Sequence, residues 1–510
     1  GGPFILAPNG GGTSGDVITV TGVSITNTNN SVTGRAMDIG GLNPSMASYS
    51  VIAHGNTLQG SDNAGLWIGN NGGTISFDST GGAANHVSGS LGVMVVNTAA
   101  GGNGSIKTGA DVITTSGAFA GEVLGGSATG TGTISIDSVG ATLAGGGAYG
   151  ISAVTGGSGA ITIGGNGGIA SSINVANGTG IYVSSASSII NVTLANTGSI
   201  AALNGMYLQG SAVTIDSFGT IAATNIAINA SNASSLFLTL EDGSTTTSGS
   251  ILGTSGDDTV KLVTGARTTG TFFGGAFFDG GGGNNRVILT GSGVGSFSTA
   301  DALNFAVIEK DGTGTWNLSG GAPGIQGATI FLNGGNIVAL RDAVAGNVVS
   351  AAGTSFQFAI DTTQTYAGVI SGGASVSKTG RGDLTLTGKN TYTGGTTISD
   401  SGTLILNAEN ALPVGGAVTL NDNAILSING FSQSVGALSS SSAASAIGIS
   451  SGAQLTTTSA EETNLSSRLS GTGTFVKAGT GTLSLFGSGD SLTINVVGGR
   501  LNIWGAHPGS

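Results

Sequence analysis

Three pairs of adjacent carboxylates are the first candidates for acid–base chemistry in this chain. They are Glu241-Asp242, Asp257-Asp258 and Glu461-Glu462. General acid–base catalysis needs titratable groups that face the same reacting bond. Adjacent residues of a strand point to opposite faces, so these pairs are poor catalytic dyads. We interpret them as residues that solubilise turns.

Histidine and cysteine offer little further chemistry. The chain has three histidines, His54, His86 and His507, and no cysteine. A Ser-His-Asp triad could be assembled on paper around His54 or His86, but no nucleophile-elbow pattern accompanies it. Residues 138–215 carry neither a charged side chain nor a histidine, so a groove there would lack an acid, a base and a sugar-gripping arginine. We expect no enzyme activity, no catalytic residue and no cofactor.

Two glycine-rich turns invite a test for calcium. Residues 253–260 and 279–287 resemble the Gly-Gly-x-Gly-x-Asp turns of calcium-binding nonapeptide rolls. Such rolls need tandem repeats, because each ion is shared by carboxylates and carbonyls of consecutive turns. Here the copies are isolated, and the second has Asn285 followed by Arg286 where an aspartate is expected. We interpret both as ordinary corners and predict no metal site.

Composition limits the elements that could position any such group. The 510 residues include 98 glycines and 6 prolines, 38% are hydrophobic and only 7% are charged. A glycine-rich linker would be poor in β-branched residues, whereas this chain is dense in Ile, Val and Thr. Collagen would need glycine at every third position. We therefore expect many short strands joined by tight turns in which glycine supplies positive φ.

The charge distribution excludes two classes of partner. The formal net charge is −12, and the bases among the first 260 residues are Arg35 and Lys107. Binding to nucleic acid or to anionic lipid needs clustered lysine and arginine. No apolar run approaches the roughly 18 residues of a membrane-spanning helix. We expect no nucleic-acid partner and no membrane insertion by this segment.

An internal repeat is the strongest sequence signal. A small residue followed by alternating apolar and polar positions occurs at residues 73–78, 132–137 and 212–216. Weaker copies begin their apolar pairs at Ile106, Ile161, Val192, Leu238, Val260 and Val287. A unit of about 20–30 residues without a helical period cannot bury its inner face alone, but stacked units can. We predict a β-solenoid in preference to a β-sandwich, which does not usually hold one period over so long a stretch.

The C-terminal part carries a more specific frame. Residues 310–320, 378–388 and 477–487 share the pattern Lys-x-Gly-x-Gly-x-apolar-x-Leu-x-Gly, and the middle copy continues as Asn390-Thr391-Tyr392-Thr393-Gly394. This frame resembles the passenger-associated transport repeat of bacterial autotransporters. The first and third copies lack the second half and resemble degenerate repeats.

The resemblance implies an all-β fold, a right-handed single-stranded parallel β-helix that forms an elongated rod. It also implies export through the outer membrane, exposure at the bacterial cell surface, and a C-terminal outer-membrane barrel in the full-length protein. In that family the repeats are associated with translocation and folding outside the cell. Because neither a signal peptide nor a barrel-forming segment after Trp504 is visible, we expect a processed passenger or a trimmed segment. We divide the chain into an acidic candidate binding region, 1–300, and a stem, 301–510, with motifs near 310, 378 and 477.

Possible contact sites remain open at this stage. Arg381-Gly382-Asp383 spells an integrin-type tripeptide, yet it occupies the Gly-x-Gly turn of the middle repeat. We keep it as a binding candidate. The phenylalanine-rich residues 272–278 are either an internal stack or an exposed patch for a partner, and the loop at 41–50 is expected to add specificity.

We therefore favour an adhesin or self-association protein that binds host-cell or matrix surface components or other copies of itself. The alternatives are a β-helical enzyme acting on polysaccharide and a passive stalk. An enzyme should show Asp, Glu, Lys or Arg converging beside a groove.

Overall fold

Alternating apolar and polar residues form parallel strands throughout the described part of the chain. The computed structural model describes residues 4–6, 16–26, 35–39, 48–60, 64–70, 72–115, 122–146, 148–165, 167–247, 249–269, 277–321, 324–487, 489 and 491–504. His507, Phe272, Phe273 and residues 41–47 of the specificity loop lie outside the described residues.

The described strands pair in parallel and stack turn upon turn as a β-solenoid, which confirms the predicted all-β fold. Among the described residues the helical element is one 3₁₀ turn at Thr299–Asp301. No helix in these residues is long and apolar enough to span a membrane. The chain divides into two compact units, unit 1 (residues 1–285) and unit 2 (residues 286–510). The functional division at residue 300 stays a prediction.

The described strands of unit 1 range from two to sixteen residues. They are β1 (Phe4–Leu6), β2 (Asp16–Thr21), β3 (Ser24–Thr26), β4 (Met37–Ile39), β5 (Tyr49–His54), β6 (Thr57–Gln59), β7 (Ala64–Asn70), β8 (Ile75–Asp78), β9 (His86–Gly89), β10 (Leu91–Ala100), β11 (Gly104–Thr108), β12 (Val112–Thr115), β13 (Glu122–Thr129), β14 (Ile134–Gly145), β15 (Tyr149–Thr155), β16 (Ile161–Ile163), β17 (Ala170–Ser185), β18 (Ile189–Leu194), β19 (Ser199–Gln209), β20 (Ala212–Ser217), β21 (Thr220–Asn229), β22 (Leu236–Leu240), β23 (Thr245–Thr247), β24 (Ser250–Leu252), β25 (Thr259–Val263), β26 (Arg267–Thr269) and β27 (Phe278–Asp279).

One inward row of unit 1 accounts for the repeat seen in the sequence. Parallel pairing from β8 to β25 aligns one buried apolar residue per turn. The row consists of Phe77, Ile106, Ile136, Ile163, Val192, Ile215, Leu238 and Val260, each at most 2% exposed. Each turn thus covers the apolar face of its neighbour, as a solenoid requires.

The register of the weaker copies differs from the sequence assignment. Four of the assigned starts align with the second apolar residue of the strong copies, not with the first: Ile106, Val192, Leu238 and Val260. In β11 the residue that aligns with the first apolar residue of a strong copy is Gly104. The first apolar residue of that turn therefore comes two residues later. In β18 and β22 the inward row holds three apolar residues, which makes the start of a pair ambiguous in sequence.

The described strands of unit 2 are mostly three to five residues long. They are β28 (Arg286–Thr290), β29 (Val294–Ser298), β30 (Ala302–Leu303), β31 (Val307–Lys310), β32 (Thr315–Ser319), β33 (Thr329–Leu332), β34 (Asn336–Ala339), β35 (Val348–Ser350), β36 (Ser355–Ala359), β37 (Gln364–Tyr366), β38 (Ile370–Gly372), β39 (Ser375–Thr379), β40 (Leu384–Leu386), β41 (Thr396–Ile398), β42 (Thr403–Leu406), β43 (Val418–Leu420), β44 (Ile425–Ile428), β45 (Gln433–Val435), β46 (Leu438–Ser440), β47 (Ala446–Ile449), β48 (Gln454–Thr457), β49 (Thr463–Leu465), β50 (Arg468–Gly471), β51 (Thr474–Lys477), β52 (Thr482–Leu485), β53 (Thr493–Val496) and β54 (Arg500–Ile503).

Parallel ladders also form the walls of unit 2. One ladder runs from β29 to β54, a second from β37 to β50 and a third from β45 to β53. The interior is filled partly by large aromatic side chains that are at most 1% exposed. These are Trp316, Phe356, Phe358, Tyr366, Tyr392 and Phe475.

Candidate functional site

The lysine that opens each copy of the transport-repeat frame is buried. Lys310, Lys378 and Lys477 are at most 1% exposed. Each lies at or near the end of a strand (β31, β39 and β51), on the row that points inward. Lysine is almost never fully buried unless it is paired, so the environment of each ammonium group decides what the frame does.

Backbone carbonyls satisfy these ammonium groups. Lys310 Nζ donates to the carbonyl oxygens of Asp311 at 2.7 Å, Gly312 at 3.0 Å and Gly334 at 3.0 Å. The first two acceptors belong to the lysine's own corner, and Gly334 belongs to the next turn. The ammonium group therefore ties two consecutive turns together.

The other two copies repeat this arrangement with fewer bonds. Lys477 Nζ donates to the carbonyl oxygen of Gly479 in its own corner and to that of Gly498, in the next turn, at 3.3 Å. Lys378 Nζ donates to the carbonyl oxygen of Gly380 at 2.7 Å. We call the three arrangements the lysine corners.

A glycine of the following turn lies against each lysine corner. A Cβ atom at Gly402 would overlap Lys378 Nζ, and one at Gly499 would lie 2.8 Å from Lys477 Nζ. A Cβ at Gly335 would overlap the carbonyl oxygen of Gly314, in the corner of Lys310. The frame therefore requires glycine both within the corner and above it.

Burial lowers the pKa of all three lysines. For Lys310 the opposing influence is the negative charge of Asp311. For Lys378 it is the charges of Asp383, Asp400 and Asp361, in decreasing order. Because none of these ammonium groups reaches the solvent, they serve as structural donors.

The second half of the middle repeat links further turns. Asn390, which is 2% exposed, accepts a hydrogen bond from the Ile370 N–H at 2.7 Å and donates to the Ala411 carbonyl at 2.7 Å. These partners lie 20 and 21 residues away, on the preceding and following turns. Buried Tyr392 shares a 2.6 Å hydrogen bond with the Thr396 hydroxyl of its own turn. The sequence frame identified both Asn390 and Tyr392, but not the role of Asn390 as a clamp between turns.

The integrin-type tripeptide lies in the corner of Lys378. The Arg381 side chain is exposed, and its backbone N–H donates to Asp361 Oδ1 at 3.3 Å. Gly382 is packed so closely over Thr362 that a Cβ would overlap its backbone. Asp383 Oδ1 accepts a hydrogen bond from the Thr403 N–H at 2.9 Å. The tripeptide is therefore held in a packed corner, and its role in binding stays a prediction.

The glycine-rich turns tested for calcium are built around Asp258. This carboxylate is 1% exposed and accepts hydrogen bonds from the N–H groups of Leu236 at 2.7 Å and Thr254 at 2.6 Å, and from the Thr254 hydroxyl at 2.8 Å. Burial raises its pKa, and the Thr254 hydrogen bonds oppose that shift. Asn285 Oδ1 accepts from the Asp258 N–H at 2.8 Å, while its Nδ2 donates to the carbonyls of Gly280 and Gly282. In the described residues these polar groups are occupied by bonds to the chain itself.

The remaining ionisable candidates do not converge. Asp257 is exposed whereas its neighbour Asp258 is buried, and both lie in the turn before β25. The interpretation as a residue that solubilises the turn is therefore wrong for Asp258. His86 is exposed on β9, and His54 is half-buried on β5. Throughout the described residues, no group of three or more His, Cys, Asp and Glu side chains is placed to hold a metal ion.

Sequence reasoning missed a buried amide–carboxylate ladder in unit 1. Asn56 N–H and Nδ2 donate to Asn85 Oδ1 at 3.0 and 2.9 Å. Asn85 N–H and Nδ2 donate in turn to Asp111 Oδ1 at 2.7 and 3.0 Å, and the Ser79 hydroxyl bonds to the same carboxylate. The buried Asp111 carboxylate thus takes part in joining three turns. Its members are 29 and 26 residues apart, and this unequal spacing hides it from a search for a fixed period.

The phenylalanine-rich stretch is described only at its end. Phe277 and Phe278 are each 2% exposed and pack edge to face, with ring centroids 4.6 Å apart. This part of the stretch is internal.

The outer wall between Asp137 and Asp216 is electrically neutral. On the sheet formed by β15, β17 and β19 the outward residues include Tyr182, Ser184, Tyr207 and Gln209, all half-buried. Hydroxyl and amide groups recur on this wall beside the exposed aliphatic side chains of Val139, Val154, Ile189 and Leu203. Residues 138–215 contribute no formal charge to it.

Comparison with known proteins agrees with the repeat frame. The family model of the passenger-associated transport repeat matches residues 308–338 and 376–406. These matches contain the corners of Lys310 and Lys378. No curated protein and no solved structure matches the chain at a significant level.

The transport repeats and the β-solenoid together fit an autotransporter passenger domain. Repeats of this kind imply a secreted passenger that is exported to the cell surface.

Proposed function

We propose that this passenger acts by binding, as an adhesin or self-association protein, and that it does not catalyse a reaction. Its partners would be host-cell or matrix surface components or other copies of itself. The proposal assigns recognition to the wall of unit 1 and folding during export to the lysine corners of unit 2.

The neutral outer wall of residues 138–215 is the observation that carries this proposal. A wall of hydroxyl and amide groups offers many modest hydrogen bonds to a partner but no general acid or base. Repetition from turn to turn multiplies such contacts, and linked weak contacts bind far more tightly than each one alone.

The use of the buried carboxylates supports binding in preference to catalysis. Asp111 and Asp258 are 1% exposed and accept hydrogen bonds from backbone N–H groups of other turns. A carboxylate held in this way stabilises stacking and is withdrawn from a substrate.

The lysine corners support a role in folding. Lys310 and Lys477 donate to carbonyls of the following turn, so a corner is complete only when two turns are stacked. A buried ammonium group without acceptors is costly. Stacking in the correct register therefore removes the free-energy cost of an unbonded ammonium group, which a misplaced turn would retain.

Direct binding measurements test the proposal. The purified chain would be titrated onto cultured epithelial cells and onto immobilised fibronectin and collagen, and its self-association followed by sedimentation. We expect saturable binding to at least one of these or concentration-dependent association. Binding to none, together with cleavage of a polysaccharide, would contradict the proposal. The variant Arg381→Ala is the control, because loss of cell binding in it alone would assign recognition to the tripeptide.

A further inference from the structure

Three tyrosines form a row on the outer face of unit 1. Tyr182 of β17 and Tyr207 of β19 are register partners, and their rings stack with centroids 5.3 Å apart and planes 10° apart. The ring of Tyr149 stacks on the other face of Tyr182, at 4.1 Å and 23°. Ser152, the register partner of Tyr182 in β15, is only 1% exposed. We call Tyr149, Tyr182 and Tyr207 the tyrosine row.

The row is preorganised. All three side chains are half-buried, and mutual stacking fixes each ring before a partner arrives. Tyrosine loses only two side-chain torsions when it is ordered and combines an apolar ring with a polar hydroxyl. Because the ring faces contact each other, the row presents ring edges and phenol hydroxyls to the solvent, about one per turn of the solenoid.

Neutral hydrogen-bonding groups border the row at Tyr182 and Tyr207, whereas the register partner of Tyr149 in β13 is Glu122. Asn232 Nδ2 donates to the Tyr207 hydroxyl at 2.7 Å. Ser184 Oγ lies 3.5 Å from Gln209 Oε1, and Asn225 Nδ2 donates to Asn204 Oδ1 at 2.9 Å. These hydroxyl and amide groups contain both donors and acceptors, and none of them is charged.

We propose that the tyrosine row and its amide border bind an uncharged, linear polysaccharide that runs along the stack of turns. This inference rests on the proposed binding function and names the ligand class and its site. A sugar polymer repeats its hydroxyls and its apolar C–H groups residue by residue, as the wall repeats phenol hydroxyls and ring edges turn by turn.

Charge decides between this partner and others. A sulfated or carboxylated polymer would lose hydration at a wall that offers no cation in residues 138–215, and such desolvation is costly without a counter-charge. A folded protein partner needs about 1,200–2,000 Å² of interface with an apolar core. The exposed aliphatic residues of this stretch lie singly on four different strands, as Val139, Val154, Ile189 and Leu203. A neutral polymer of hydroxyls meets neither obstacle.

Affinity electrophoresis and calorimetry with defined polysaccharides test the inference. The whole chain would be run in gels that contain dextran, mannan or hydroxyethyl cellulose, with heparin and alginate as charged comparisons. We expect retardation by at least one neutral polymer and none by the charged ones. Tyr182→Ala with Tyr207→Ala should weaken that binding at least tenfold, and Tyr182→Phe with Tyr207→Phe should weaken it less.

The matched control is Phe237→Ala, since Phe237 is an exposed aromatic residue of unit 1 (39%) on another strand, β22. It should bind as the parent does. Circular dichroism melting of each variant separates loss of the site from loss of the fold. If only the double alanine variant is unfolded, the double phenylalanine variant decides, and unchanged binding in it overturns the role of the hydroxyls.

Two results would overturn the inference and leave the proposed function intact. One is binding to cells, matrix proteins or itself without binding to any neutral polysaccharide. The other is a shift in self-association, measured by sedimentation, that follows the tyrosine substitutions while polysaccharide binding does not. Absence of every kind of binding would count against the proposed function itself.

Discussion

Units 1 and 2 are both stacks of parallel turns, but they close their corners with different chemistry. In the described part of unit 1 the residues with positive φ are all glycines. In unit 2 they also include Asn304, Asp342, Asp400, Asn410, Asp422 and Ser491. Asparagine and aspartate tolerate the left-handed conformation because their short polar side chains bond to nearby backbone. The corners of unit 2 are therefore specified by Asn, Asp and Ser side chains as well as by glycine.

Turns in the first part of unit 1 are longer than those of unit 2, and from Val192 to Val260 they shorten to 22–23 residues. The hydroxyls of Thr108 and Ser138, bonded across consecutive turns of unit 1, are 30 residues apart. Asn390 and Ile370, bonded across consecutive turns of unit 2, are 20 residues apart. Longer turns leave more chain on the outer wall, which suits recognition, whereas short turns with bonded corners suit rigid stacking.

The interiors complete the contrast. Unit 1 joins its turns with amides, hydroxyls and the carboxylates of Asp111 and Asp258, beside inward rows that are mainly aliphatic. Unit 2 adds buried lysines and has more of the large buried aromatic residues. One fold can thus be stabilised by hydrogen-bonded ladders that cross several turns or by local corners such as the lysine corners. Only the second leaves a short sequence frame that a family model detects.

The largest effect is expected from crowding a corner of unit 2. Gly388→Val would place its side chain against the Gly368 carbonyl of the preceding turn, where only backbone atoms could move. We expect a loss of about 3 kcal/mol or more in local stability, seen as lost hydrogen-exchange protection over residues 366–406 and as reduced surface display.

Gly448→Val is the matched control, because a Cβ at Gly448 meets no atom within 4 Å and valine favours a strand. It should retain parental protection. Equal damage from both substitutions would show that close backbone stacking does not distinguish the corner.

The lysine corners should rank by the number of their acceptors. Lys310→Met removes the donor to three carbonyls, and we expect a loss of about 2–3 kcal/mol. Both changes relieve the burial of a charge, but Lys378→Met removes only one such bond, so its loss should be about 1 kcal/mol or less. Hydrogen exchange over residues 307–340 and 375–406 measures the two effects. The reverse order would refute the interpretation of these corners as carbonyl caps.

The amide ladder of unit 1 should be weaker than the Lys310 corner. Asn85→Leu keeps the volume but leaves the Asn56 N–H and the Ala53 carbonyl without their partner, for a loss of about 2 kcal/mol. Asn429→Leu is the control in unit 2, since Asn429 is exposed and bonds to Asn407 at 3.3 Å. It should change stability by less than about 0.5 kcal/mol. An equally large loss in the control would mean that burial does not determine how much a side-chain amide hydrogen bond contributes to stability here.

The fold could be predicted from sequence because alternation is a local signal. Ile134 and Ile136 in one turn, and Val213 and Ile215 in another, have the same small-apolar-polar pattern, and all four point inward. The register of Ile106 was harder, because Gly104 replaces an apolar residue in its turn. Recognition of the transport repeat depended on three copies of one frame.

The site could not be read in the same way. Lysine is normally exposed, so burial of Lys310 has no signal of its own beyond its place in the repeated frame. Asn56, Asn85 and Asp111 belong to turns of unequal length, so no period connects them. Tyr149 stacks on Tyr182 from a position outside its register, a contact that depends on side-chain direction and not on spacing.

The smallest effect should be a difference in alkaline pH dependence around the lysine corners. Burial lowers the pKa of Lys378 below its ordinary value of 10.5. At pH values between the lowered pKa of folded Lys378 and the ordinary pKa of the unfolded chain, the unfolded chain binds more protons than the folded one. Stability therefore rises as the pH increases towards 10.5. Buried Tyr366 and Tyr392 act in the opposite direction, because their raised pKa values make stability fall once the unfolded tyrosines ionise above about 10. Urea midpoints measured between pH 8 and pH 10 should therefore rise less steeply for Lys378→Met than for the parent chain. Identical slopes would mean that the Lys378 pKa is not lowered by folding. The distinction between the lysine corners of unit 2 and the amide–carboxylate ladder of unit 1 would then lose its electrostatic part.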